Sequence, residues 1–259
     1  MALPVVKTPV FNVTLPSDGR IVKARPFLVR EQKVVLHAIE MGDPQQLNNA
    51  LDDMLGACTF GDVDLNALTV YDVEYLVTQI RAHSVGEVVE IVYMCRNMVP
   101  DKLLNAEHIK FQPEVEPIHG KGECDTRIPL KVNLGSLKVS SDERPDNRIM
   151  FTDTIGVVMR DMPYGAYKNL TDDSPTDTGI SAIASCVEYV INGESVMGVA
   201  DFTPEELVTW LEDLTGDDFD KLDEYLKTMP TLRISMDLTC PSCGAKEPIK
   251  LEGLDDFLV

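Results

Sequence analysis

The sequence predicts an α+β protein: an N-terminal β-hairpin, a helical layer, and a zinc-ribbon-like β region completed by the C-terminus. Three observations lead there. Residues 9–24 alternate apolar and polar on either side of a turn, and helical periodicities with capping signals run from Phe27 to Val85 and again from Thr203 to Leu226. A strand that runs into a cysteine, followed by a second cysteine and another strand, occurs twice, at Cys95/Cys124 and at Cys240/Cys243. The change of pattern after Gly86 divides the chain into 1–86, hairpin and helices, and 87–259, a β-rich region with inserted helices, as two domains or as one integrated unit.

Taken in order, Phe11, Val13 and Leu15 alternate with polar residues, Pro16-Ser17-Asp18-Gly19 supplies turn chemistry, and Ile21 and Val22 resume the strand. Arg25-Pro26 breaks it. A helix is expected over Phe27–Glu40 with Leu28, Val35, Leu36 and Ile39 inward, and a second opens at Asp43-Pro44, an N-cap followed by an N1 proline. Thr69 and Asp72 begin a third as a variant capping box, with Val70, Val73, Val77 and Ile80 in one stripe that Gly86 ends. Residues 87–95 and 128–139 read as strands, and 149–160 as strand and turn. Ile180–Ile191 reads as a buried helix around Cys186, Thr203-Pro204-Glu205-Glu206 opens another, and Asp217 is the expected cap of the last.

The charge balance is −20. An acidic excess of that size repels phosphates and anionic headgroups, so nucleic acid and membrane surfaces are not the expected partners. No apolar run approaches the ~20 residues of a membrane span, and none near the start resembles a signal peptide. The expectation is a soluble chain that remains in a reducing compartment. There its six cysteines are metal ligands or buried thiols rather than a disulfide framework.

The two cysteine repeats align. VVEIVYM-Cys95 and Cys124-DTRIPLKVNL correspond to RISMDLT-Cys240 and Cys243-GAKEPIKLEGL, with Pro129 or Pro248 five residues after the second cysteine, then Leu130 or Ile249, then Lys131 or Lys250. A Cys-Pro-Ser-Cys-Gly turn presents two thiolates to one ion, because proline restricts the bend and glycine admits a left-handed residue. One turn is half a site. Four-coordinate structural zinc needs both copies, which nominates Cys95, Cys124, Cys240 and Cys243 together. The 28 residues between Cys95 and Cys124 leave two alternatives: a site that uses His108 or His119, or cysteines packed as small apolar side chains. Cys58 and Cys186 read as buried thiols.

No phosphate loop, nucleophile elbow or HExxH motif is present, and Gly120-Lys121-Gly122 has the wrong spacing for a nucleotide fingerprint. His37 reads as a structural residue on its helix, and His83 as a helix-end residue favoured by the dipole. Four cysteines describe a closed metal site without a catalytic opening. Nothing in the residues supports an enzyme. From Asp201 to Leu226 there are ten acidic residues against one lysine, which is either a solvated helical face or an electrostatic docking surface.

PFLVREQKVVLHAIEMGD, LTVYDVEYLVTQIRAHSVGEVVEIVYMC and CPSCG with LEGLDDFL together resemble the baseplate hub assembly family of contractile-tailed bacteriophages of the T4 type. The resemblance runs in patches from Pro26 to the C-terminus and is most specific from Arg81 to Glu87. The family typically carries a close cysteine pair where this chain has Cys95 and Cys124 far apart. The resemblance implies a protein of the host bacterial cytoplasm, or of the virion baseplate, that helps build the central hub and carries no catalytic residues. The expected function is a chaperone for hub or tape-measure subunits, with a permanent structural subunit as the alternative and a zinc-containing enzyme as a distant one. Two residues are nominated as partner contacts. Tyr71, Glu74 and Arg81 do not all fall on the apolar stripe of their helix, and of these Arg81 suits a bidentate anchor, unless a carboxylate of its own chain pairs it. Trp210 is a candidate wall of an apolar groove, unless its spacing with Leu207, Leu211 and Leu214 places it in the core.

Overall fold

The computed structural model describes residues 7–97, 124–140, 144–170 and 175–252. The stretch holding His108, His119 and Gly120-Lys121-Gly122, and the terminal LDDFL, lie outside the described residues.

Strands β1 (Phe11–Thr14) and β2 (Ile21–Ala24) pair antiparallel with Phe11 opposite Ala24 and Thr14 opposite Ile21. Val13, Leu15, Val22 and Ala24 are buried, as the alternation requires. Gly19, at φ 72°, closes the turn by donating its N–H to the Leu15 carbonyl. Helix α1 (Val29–Met41) ends on Gly42 in the left-handed conformation, and α2 (Pro44–Cys58) starts where the Asp43 carboxylate accepts from the backbone of Gln45 and Gln46. Helix α3 (Val70–Val85) buries Val73, Leu76, Val77 and Ile80 beneath the hairpin and α2. The Thr69 hydroxyl caps α3, but the Asp72 carboxylate does not reach back to complete a box. It accepts instead from the Ser17 backbone and hydroxyl, pinning the hairpin turn to the start of α3.

The second core is the ribbon region. Strands β3 (Val88–Met94) and β4 (Arg127–Asn133) form one antiparallel pair; β10 (Leu232–Thr239) and β11 (Lys246–Glu252) form another, which β5 (Lys138–Val139) extends at Leu232. Val89, Leu130, Val132, Leu232, Ile234 and Leu251 pack between the pairs, with Ala82 of α3 against them. The expected strand 128–139 is divided, because the Asn133 side chain accepts from the Gly135 N–H and turns Leu134–Ser136 into a short 3-10 helix.

The third core lies under a four-stranded antiparallel sheet in the order β6 (Arg148–Met150), β7 (Ile155–Met159), β8 (Val187–Asn192) and β9 (Ser195–Gly198). Between β7 and β8 the chain makes α4 (Tyr164–Tyr167) and α5 (Pro175–Cys186). After β9 come α6 (Pro204–Glu212) and α7 (Gly216–Lys227), whose Leu207, Leu211, Leu222 and Tyr225 cover the sheet. The expected helix over 180–191 is corrected here: it stops at Cys186, and 187–192 is a central strand paired on both edges. Val187, Val190 and Ile191 are buried and β-branched, which favours a strand, while Glu188, Tyr189 and Asn192 interrupt the apolar run on which a helix is expected. The last helix is capped by Thr215, which accepts from the Asp218 N–H, while Asp217 sits in the first turn.

Candidate functional site

The ribbon strands bring Cys95, Cys124, Cys240 and Cys243 to one point. All four sulfurs lie within 4.8 Å of one another; Cys95 and Cys243 are 3.8 Å apart, and Cys124 and Cys240 are 3.6 Å apart. A regular tetrahedron with zinc–sulfur bonds of ~2.3 Å has sulfur edges of roughly 3.8 Å. The donor set therefore fits one zinc ion, with each close pair taking one cysteine from each repeat. Three of the cysteines are buried and Cys243 is half-buried.

The alignment of the repeats holds in atomic detail. Pro129 lies opposite Val92, three residues before Cys95, and Pro248 lies opposite Asp237, three residues before Cys240. The Cys95 N–H donates to the Thr126 carbonyl at 2.9 Å, and the Cys240 N–H donates to the Ala245 carbonyl at 2.8 Å, each acceptor two residues past the second cysteine. The residue directly after that cysteine is left-handed in both copies, Asp125 at φ 46° and Gly244 at φ 72°. The same turn is thus made once with glycine and once with an aspartate, one of the residue types that tolerates this region.

Without metal the four thiols are electrostatically unequal. Burial pushes Cys95 up to about 12 and also raises Cys124. Burial acts on Cys240 in the same direction, but the backbone N–H groups of Cys243 and Ser242, together with the Cys243 and Cys124 thiols, outweigh it and bring that thiol down to about 7. Cys58 and Cys186 take no part: both are fully buried, and burial raises them to about 11 and about 12.

Trp210 is half-buried rather than enclosed. It stands with Ile155, Val190, Ile191, Met197 and Leu207 around a pocket of ≈350 Å³ between α6 and the sheet, and its ring leans on Phe151 at 6.0 Å. Glu206 at the rim accepts from the Thr203 N–H and closes the capping box of α6. Arg81, also half-buried, makes no bond to a carboxylate among the described residues. Its Nη1 is buried without a hydrogen-bond partner, and desolvation lowers its pKa. His37 is exposed beside Glu40, and His83 stacks on Phe11 at 3.7 Å while its Nδ1 meets the Gln79 carbonyl.

One feature escaped the sequence reading. Leu36 and Ile39, expected on the inner face of α1, are about half exposed, at 49% and 43%, and Val29, Val34 and Met41 are also exposed. Of the residues of α1, Ala38 alone is buried. The signal was available: seven aliphatic or thioether side chains from Val29 to Met41 are more than one helix face can cover.

The family model described as T4 bacteriophage base plate protein matches residues 8–259. The chain belongs to that family. It is 25% identical over 248 residues to the baseplate hub assembly protein gp26 of Enterobacteria phage T4, an alignment covering 95% of this chain and 96% of that protein. No solved structure matches the chain. Membership makes it a baseplate-hub-related protein of the T4 type, and the α+β expectation with a ribbon-like cysteine region holds. Among the described residues no helix is long and apolar enough to cross a membrane.

Proposed function

We propose that this chain is an assembly factor of the phage baseplate hub, a non-enzymatic binding protein that shields an apolar segment of a hub or tape-measure subunit in the host cytoplasm until the baseplate closes around it. The observation that carries the reading is the Trp210 pocket. An open apolar cavity of ≈350 Å³ is edged by the acidic helix α6, on a chain of net charge −20. Apolar walls hold the client, and the surrounding charge keeps the complex soluble. The complementary client segment is apolar with basic flanks. The full-length similarity to a protein named for hub assembly supports the same choice.

Zinc belongs to this reading. When bound, it supplies a fixed cross-link through Cys95, Cys124, Cys240 and Cys243 that ties the middle of the chain to its end. The ribbons then form a rigid base beside α3.

Co-expression tests the proposal. The chain should raise the soluble yield of a hub or tape-measure subunit, Trp210→Ala should reduce that gain without unfolding the protein, and purified virions should contain the chain in substoichiometric amount or not at all. A full complement in virions moves the function to a permanent baseplate subunit. Unchanged solubility of every tail protein overturns the shielding role.

A further inference from the structure

The outward apolar face of α1 continues into a second cavity of ≈190 Å³ between α1 and α3, lined by Val35, Leu36, Ile39, Val77, Val85 and Arg81. Two facts about it are hard to reconcile with a finished surface. Leu36, Ile39 and Val85 leave a contiguous aliphatic wall about half exposed, at 49%, 43% and 53%. Arg81 lines the same cavity, and its guanidinium has a buried Nη1 with no hydrogen-bond partner. A cation with a desolvated, unsatisfied donor is costly, and an incoming carboxylate meets it with a charge-assisted bond that its surroundings make stronger than in water. Greasy walls around one orphan guanidinium are complementary to an equally mixed ligand. They suit an amphipathic helix whose leucine-like side chains fill the cavity and whose single carboxylate pairs with the half-buried guanidinium.

We infer that the α1–α3 groove is a docking site for an amphipathic helix of a partner protein that carries one Glu among its apolar anchors, with Arg81 as the residue that reads the carboxylate. The inference goes beyond the hub reading and is independent of it. The groove shares no lining residue with the Trp210 pocket, so the failure of one leaves the other standing. It also separates affinity from specificity. Leu36, Ile39 and Val85 supply contact area to any apolar helix, whereas Arg81 discriminates between an acid and its neutral isostere.

The test uses the full-length protein and two synthetic amphipathic helices, identical except for one Glu or Gln set between leucines at i, i+3, i+4 and i+7 spacing. Affinities come from titration calorimetry, and the binding site from methyl chemical shifts. The Glu peptide should bind at least tenfold more tightly than the Gln peptide and shift the Leu36, Ile39 and Val85 methyl signals. Arg81→Met should bring the ratio to about one while leaving the Gln peptide's affinity unchanged and the melting temperature the same or higher, because an unsatisfied donor has been removed. Leu36→Asp should abolish binding of both. Equal affinity of the two peptides for the wild-type protein, no binding of either, or shifts confined to the Trp210 pocket overturns the proposal. So does an Arg81→Met variant that keeps its fold and still prefers the Glu peptide, since the preference then does not come from Arg81.

Discussion

The sulfur of Cys124 lies 3.6 Å from that of Cys240, 116 positions further along the chain. Closing so long a loop without a covalent bond costs conformational entropy, and a shared metal ion offsets it. Purified under reducing conditions, the protein should carry one zinc per chain. Cys240→Ser should remove it and lower the melting temperature by roughly 10 °C or more, as should a strong chelator. Cys58→Ser and Cys186→Ser should keep the metal. Metal analysis that finds no zinc in the wild-type protein refutes the site.

Which parts of this molecule were legible in its sequence follows from how local their causes are. The Asp43-Pro44 cap, the Thr203–Glu206 box and the hairpin turn are written within a few residues and came out as expected. The cysteine cluster is long-range, but it was legible because the chain states it twice: the five-residue offset to Pro129 and to Pro248 encodes a shared strand register. Val187–Asn192 departs from the expected helix, because Val187, Val190 and Ile191 set among Glu188, Tyr189 and Asn192 carry no clear period, and pairing with β7 and β9 on either side decides for a strand. Asp72 illustrates the same limit. Its spacing from Thr69 pointed to a box, yet its carboxylate serves Ser17, 55 residues away, which no local pattern announces.

That contact yields a prediction of its own. Asp72 is 1% exposed and accepts from both the backbone and the hydroxyl of Ser17. Asp72→Ala removes the carboxylate to which both Ser17 groups donate, a pair of bonds to a charged acceptor, and should cost about 1–3 kcal/mol. Ser17→Ala, which removes only the hydroxyl, should cost about 1 kcal/mol. Denaturant unfolding measures both, and hydrogen exchange at Val13 and Leu15 should speed up in the Asp72 variant more than in the Ser17 variant. Equal effects would mean that the backbone contact carries little.

Acid sensitivity should appear at Glu31. The Arg25 guanidinium, bonded to it at 2.8 Å and 3.0 Å, holds its carboxyl below the usual value of 4.5 against the opposing effect of burial, and the Leu28 N–H adds to the lowering. Because the folded value is the depressed one, the stabilisation is complete above about pH 5 and fades as the pH falls through the folded value. Glu31→Gln should therefore cost about 2 kcal/mol near pH 7 and much less near pH 3. Both side chains are only about one-tenth exposed, so salt should screen the pair weakly. A deficit that is constant across that pH range would show that Glu31 acts through its packing and its cap on Leu28 rather than through its charge.

Trp210 is the sole tryptophan, so its emission reports on the pocket without a label. In the free chain the indole is half-buried at the wall of an open cavity. A client segment seated there removes water from the exposed ring face and should shift the emission to shorter wavelength in proportion to complex formed. The same geometry limits the cost of truncation. A fully enclosed tryptophan loses roughly 3–5 kcal/mol on replacement by alanine, whereas Trp210→Ala, with solvent already on one side, should lose only about 1–2 kcal/mol in denaturant unfolding. A large loss of stability would place the indole's main role in the third core, against Phe151 and Leu207. Binding of a hub or tape-measure subunit that leaves the emission unmoved would place the client elsewhere on the chain, with the α1–α3 groove as the next surface to probe.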